Sequence, residues 1–420
     1  MVQTIQLLPG VTLRCFRDSR FKQGCMSIQF IRAMNRQEAA SNALIPAVLL
    51  RGCQGAPNLQ DITRRLDDLY GASVGALVRR VGDYQTTGLH CGFIADRYAL
   101  DGDRILAPMV EFLGQLLLEP VLENGVFSKE FVDSEKKNLI STIESQRNDK
   151  RSYAAAQLLR KMCREDSLGI PRLGEAEQVR TITPEGLWNH WQRVLRESRI
   201  DLFYVGEAQP EEVAQLLQPL VQKLDRAPIE LAAQTTFTSL CGGEYTEAMD
   251  VSQGRLGMGF TTPITTRDPR MPAMQVCNCI FGSGMTSKLF TNVREKMSLC
   301  YDISSGYYGT KGVITVSSGI DFAKDDVVRQ EVLRQLDAIR QGDISQAELE
   351  SAKQGLCNSL RGTHDSPGAI ESYYASAALS GLSLTPDHYR ELVEQVTAQQ
   401  VAEVAATITP DTVYFLKGVQ

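Results

Sequence analysis

The 420-residue chain is too long for one typical core, so two or more domains are expected. Hydrophobic content of 43%, charged content of 22% and a net charge of −6 describe an ordinary globular protein with no basic footprint for nucleic acid. No apolar run approaches the roughly 18 residues that span a bilayer, and residues 1–10 lack the charged-then-apolar or Arg/Ser-rich pattern of a targeting segment, so a cytoplasmic protein without a membrane partner is expected.

Apolar spacing of period two and period 3.6 predicts the elements in chain order. Strands are expected at 11–16 and 25–30, then helices at 39–51 and 59–69. Two alternating strands follow at 72–80 and 84–94, then helices at 105–118, 128–148 and 153–163, and a closing strand at 200–206. The second half repeats this order, with a strand at 255–261 and helices at 272–281 and 288–296. Strands at 302–308 and 313–320, helices at 325–340, 346–362 and 369–379, and a closing strand at 412–418 complete it. Short matches support a duplication. Phe127-Ser-Lys-Glu-Phe-Val-Asp-Ser-Glu-Lys parallels Ile344-Ser-Gln-Ala-Glu-Leu-Glu-Ser-Ala-Lys, and Asn148-Asp149 parallels His364-Asp365. The expected organisation is a domain over 1–224, a polar linker over 225–244 and a second domain over 245–420.

The ten cysteines are scattered, and only Cys277 and Cys279 are closely spaced, without a second Cys/His pair beside them. They read as small hydrophobes. The four histidines are His90, His190, His364 and His388, and none has a second His or Cys three or four positions away. His90 reads as packed or edge-exposed on a strand, and His190, between Trp188 and Trp191, as a helix-surface or aromatic-cluster residue. His364 and His388 read as helix-end residues, so no metal is assigned.

One run stands out. Residues 281–301 read Phe-Gly-Ser-Gly-Met-Thr-Ser-Lys-Leu-Phe-Thr-Asn-Val-Arg-Glu-Lys-Met-Ser-Leu-Cys-Tyr. The glycine-rich part lacks the Gly-Lys-Ser/Thr ending of a phosphate loop and does not clearly follow a strand. The whole run resembles the C-terminal-half signature of the pitrilysin/insulinase family, the inverted-motif zinc (M16) peptidases. That signature is a glycine-rich turn, a helix ending in Arg-Glu-x-x-x-Leu-x-Tyr and two strands, here with Arg294 and Tyr301. The resemblance covers nearly the whole chain and is concentrated at 281–321. It implies an α+β fold of two homologous domains. Each would be a mainly antiparallel sheet backed by helices, enclosing a chamber with a partner chain or with each other.

The family's zinc motif, His-x-x-Glu-His, is absent. In active members two His one turn apart bind the metal, the Glu between them takes a proton from the bound water, and a later Glu completes the coordination. Anchoring on Arg51-Gly52 places Ala43 and Ala47 at the His positions and Pro46 at the catalytic Glu. On the later helix Glu135 matches an outlying acidic position, and Thr142 falls where the last ligand belongs. The substrate-contacting Asn-Ala strand pair reads Gly75-Ala76.

The resemblance implies that Arg294 and Tyr301 reach a substrate carbonyl and donate hydrogen bonds as negative charge develops on it. Read from the residues alone, Arg294 pairs with a carboxylate such as Glu295, and Tyr301 packs at a strand start. Some bacterial members work as pairs of short chains, one keeping the Arg/Tyr half and one the zinc half. The chain resembles the bacterial branch named for association with 5-aminopentanol modification of elongation factor P. The expected function is a non-catalytic subunit of a two-chain zinc peptidase, with no cofactor of its own and zinc only in the partner. Its partners would be a zinc-motif relative, or a second copy of itself, and a peptide substrate. A non-hydrolytic scaffold or peptide-binding protein is the alternative. An independent cysteine enzyme finds no Cys with an evident His partner.

Overall fold

The computed structural model describes residues 2–231 and 242–419; the stretch 232–241, part of the expected linker, lies outside the described residues. The chain forms two compact units, neither of them one continuous segment. The first comprises Met1–Glu144, Pro171–Ala233 and His364–Ser376, and the second Ser145–Ile170, Gln234–Thr363 and Ala377–Gln420.

The strands of the first unit are β1 (Val2–Leu8), β2 (Val11–Arg17), β3 (Gln23–Ala33), β4 (Ser73–Val81), β5 (Tyr84–Ile94), a short hairpin of β6 (Leu122–Glu123) and β7 (Val126–Phe127), and β8 (Arg199–Gly206). The main sheet runs β1-β2-β8-β3-β5-β4, and only β2 and β8 pair in parallel. One face carries Val11, Leu13, Ile28, Phe30, Leu89 and Leu202, all essentially buried under helices Ala39–Leu49, Leu106–Leu118, Pro184–Glu197 and Pro210–Gln222. Trp191 is fully buried there, edge-on to Phe30 at 4.9 Å, and its indole N–H donates to the Leu117 carbonyl (3.1 Å). Each such side chain removed from water stabilises the unit by roughly 1.5–3 kcal/mol.

The second unit has β9 (Gly243–Met249), β10 (Gly254–Thr261), β11 (Cys300–Tyr308), β12 (Val313–Ile320) and β13 (Thr409–Gly418), ordered β11-β12-β10-β13-β9. Only β13 and β9 are parallel. Read from β9, the order β9-β13-β10-β12-β11 reproduces β2-β8-β3-β5-β4, with β1 as an addition. The duplication read from short matches is therefore present in the strand topology. The fold is α+β, with two mainly antiparallel sheets backed by helices.

The helices after the matched Asn148-Asp149 and His364-Asp365 pairs are assigned crosswise. Helix Lys150–Met162, from the first half of the chain, belongs to the second unit. It lies against β10, where Gly257 and Gly259 leave room; a Cβ on Gly259 would come within 2.5 Å of the Met162 sulfur. Beyond this helix, Asp166 receives the Lys311 ammonium at 3.0 Å, both side chains fully buried. Conversely, residues 367–376 of helix Pro367–Ser380 belong to the first unit. There Glu371 accepts from Ser27 (2.7 Å), Gln29 (2.7 Å) and both terminal nitrogens of Arg79 (2.9 and 2.8 Å). Among the described residues no helix is long and apolar enough to cross a membrane.

Candidate functional site

The Arg/Tyr site is built by helices that widen. Helix Met271–Asn278 continues into a π turn at Cys279–Ser283, closed by the Gly284 N–H bonding the Cys279 carbonyl five residues back (3.2 Å). Leu289–Lys296 is also π-helical, with the Met297 N–H on the Asn292 carbonyl (3.1 Å). Such wide turns are uncommon and concentrate at functional sites. Gly282 is required by closeness, since a Cβ there would lie 2.8 Å from Leu289 and Ser305 atoms. Ser298, with φ of 50°, ends the helix and turns the chain into β11.

Arg294 and Tyr301 are thereby brought together. The Arg294 Nε donates to the Tyr301 carbonyl (2.9 Å), Nη1 bonds Glu295 (2.7 Å), and the guanidinium lies 4.7 Å from the Phe290 ring centroid. Among the described residues Nη2 has no hydrogen-bond acceptor. The Tyr301 phenol donates to Asp321 Oδ1 (2.7 Å), and Lys324 holds Oδ2 (3.0 Å). That carboxylate raises the Tyr301 pKa above the ordinary phenol value. The hydrogen bonds from Tyr301 and then Lys324 hold Asp321 below the usual carboxylate value. Arg294, Tyr301, Asp321 and Lys324 line one open hollow of about 400 Å³. The local Arg294–Glu295 pairing is thus present beside an open hollow that both Arg294 and Tyr301 line. Asp321 carried no distinguishing signal in the sequence.

The zinc-motif positions offer no ligands. Ala43 and Pro46 are buried in helix Ala39–Leu49, Ala47 is half-buried, and none carries a donor atom. Thr142 is exposed on helix Lys129–Ser145, with its hydroxyl on the Asn138 carbonyl (2.9 Å). Glu135 bonds Arg51 (3.3 Å), just past the end of helix Ala39–Leu49, and Asn138 (3.1 Å) on its own helix. These residues do not fit a zinc ion, and among the described residues no group of three or more His, Cys, Asp or Glu could hold a metal. Gly75 and Ala76 lie on edge strand β4, where the His90 ring covers Gly75.

A polar network has been built around the proline instead. Pro46 has no N–H for the Asn42 carbonyl one turn back. The Thr87 hydroxyl takes that place, donating to the Asn42 carbonyl at 2.6 Å inside the core. The Asn42 amide donates to Gln85 (2.9 Å), and Gln85 donates to the Ala39 and Arg172 carbonyls. The Asn42 amide oxygen then receives the N–H of His190 Nε2 (2.7 Å). This leaves His190 Nδ1 as acceptor for Arg193 (2.8 Å), which also bonds Glu38. A neutral imidazole satisfies every partner, and a charged one would set a proton against Arg193. Burial, opposed by Glu38 and helped by Arg193 and Arg32, pushes the His190 pKa down to about 4. His190 is therefore neither a surface residue nor a ligand. His388 sits in a helix first turn beside Glu391 (3.3 Å).

The family described as Peptidase M16 inactive domain matches residues 181–356. "Probable inactive metalloprotease YmfF" from Bacillus subtilis is 28% identical over 411 residues, covering 98% of this chain and 96% of that protein. A conserved protein from Enterococcus faecalis has a crystal structure with a TM-score of 0.93 and 28% identity, covering 100% of this chain and 99% of that one. A peptidase M16 inactive domain from Pseudomonas fluorescens shares the fold, with a TM-score of 0.81 at 17% identity, covering 100% and 98%.

Proposed function

We propose, from the premise that this chain is a non-catalytic homologue of the M16 peptidases, that it serves as one subunit of a two-chain zinc peptidase. It would form half of a substrate chamber, with the zinc carried only by a partner relative. In this reading Arg294 and Tyr301 donate hydrogen bonds to a peptide carbonyl held in the partner's site. The observation that carries it is an asymmetry. Arg294 and Tyr301 share an open hollow with a guanidinium nitrogen uncommitted, while Ala43, Pro46, Ala47 and Thr142 supply no ligand. The pair would act in the cytoplasm on peptide or protein, and association with elongation factor P modification is the pathway its branch suggests. The test is turnover by the mixed pair. Arg294→Ala and Tyr301→Phe should each lower it by roughly 10²-fold, the scale of one lost oxyanion donor, without preventing assembly. Unchanged kinetics in both variants would sink the contribution in trans.

A scaffold or peptide-binding role is the second reading. It is favoured by the Arg294–Glu295 and Tyr301–Asp321 contacts, which already satisfy most of the site's donors. It predicts binding of a partner or peptide, along a sheet edge for example, with no hydrolysis gained on mixing.

A further inference from the structure

The role proposed for Tyr301 requires its hydroxyl hydrogen, and a phenol has only one. In this chain that hydrogen is directed to Asp321 Oδ1 at 2.7 Å. Tyr301 cannot make that bond in full and also donate to a substrate carbonyl. Asp321 has a second holder, because Lys324 bonds its other oxygen at 3.0 Å and both sit on the short turn after β12. When the phenol leaves, the carboxylate keeps a cationic partner, so release strands no charge. Arg294 differs, because its Nη2 is uncommitted and its Nε fixes the Tyr301 carbonyl rather than the phenol.

We infer that Asp321 is a positioning residue that withholds the Tyr301 hydroxyl, so that Tyr301 joins the reaction only when substrate or partner displaces this contact. The inference rests on the function proposed above. It makes the isolated chain a closed form of its own site: Arg294 is open to a carbonyl, and Tyr301 is latched. The raised phenol pKa agrees with donation to a carboxylate.

Two measurements on Asp321→Ala test it, with the milder Asp321→Asn as a second variant that keeps a neutral acceptor. The first is titration of the phenol in the chain alone, by NMR of ring-labelled tyrosine with Tyr301→Phe for assignment. The wild-type Tyr301 resonance should titrate above the ordinary value, and in Asp321→Ala it should return to about 10. The second is peptide turnover by the mixed pair. Asp321→Ala should raise it about fivefold, the scale of one exposed hydrogen bond, with Asp321→Asn in between. The gain should vanish in the Tyr301→Phe background. An identical titration in wild type and Asp321→Ala would remove the contact. A fall in turnover, or a rise that persists in Tyr301→Phe, would overturn the withholding role while leaving the pair's activity standing. A wild-type pair with no turnover would instead remove the underlying reading, and the latch with it.

Discussion

Replacing Thr87 by Val tests how the first unit accommodates a proline inside helix Ala39–Leu49. The substitution is close to isosteric and removes the hydroxyl that donates to the Asn42 carbonyl where Pro46 offers no N–H. A buried carbonyl left without a partner costs about 1–3 kcal/mol. The partner experiment is Pro46→Ala, which restores an N–H one turn after Asn42. Proline inside a helix costs about 3 kcal/mol relative to Ala. The Thr87 hydroxyl already offsets part of this, and Ala gives up buried proline methylenes at roughly 0.8 kcal/mol each. A gain of about 1 kcal/mol is therefore expected from Pro46→Ala alone. The informative quantity is the coupling. In the Pro46→Ala background the helix itself satisfies Asn42, so Thr87→Val should cost at least about 1 kcal/mol less than in the wild type. Both tryptophans, Trp188 and Trp191, lie in the first unit, so their fluorescence in urea reports the unit under test. Equal cost of Thr87→Val in the two backgrounds would refute the reasoning.

Further perturbations have definite signs. Burial lowers the His190 pKa to about 4, below the ordinary value near 6.5. Between those values the unfolded chain binds the extra proton. The first unit should keep the full contribution above pH 6.5 and lose about 3 kcal/mol as pH falls toward 4, a slope that His190→Gln should flatten in urea titrations at several pH values. Lys311→Met leaves Asp166 as an uncompensated buried charge. It should destabilise the second unit by about 3–5 kcal/mol, read as lost tyrosine near-UV dichroism at lower denaturant. Glu371→Ala orphans donors from Ser27, Gln29 and Arg79. It should speed proteolysis near residues 364–376 relative to wild type, and an unchanged cleavage pattern would contradict the account.

The repeat was legible because period-two spacing in β4, β5, β11 and β12 and the matched helix starts recur in the same order. The crosswise assignment of helices Lys150–Met162 and Pro367–Ser380 was not. An apolar stripe tells which face of a helix is buried, not against which sheet. Strands β1 and β9 escaped because Gln-, Thr- and Glu-rich edge strands alternate weakly, and β9 begins inside the expected linker. Helices Pro184–Glu197 and Pro210–Gln222 each carry a proline at the first helical position, a start signal independent of apolar spacing. The π turns near Arg294 carry no signature in apolar spacing, which distinguishes a period of 3.6 from one of two but not a widened turn. His190 and Asn42 meet across 148 positions, so neither residue announced the network that surrounds Pro46.

The central claim is that this chain completes a site it cannot form alone. The direct test is hydrolysis of a quenched fluorescent peptide library by this chain, by a zinc-motif relative from the same organism, and by the two mixed, with zinc determined on each. The account predicts turnover only in the mixture and zinc only in the relative. Folded chains that gain nothing on mixing, or zinc and turnover in this chain alone, would contradict it.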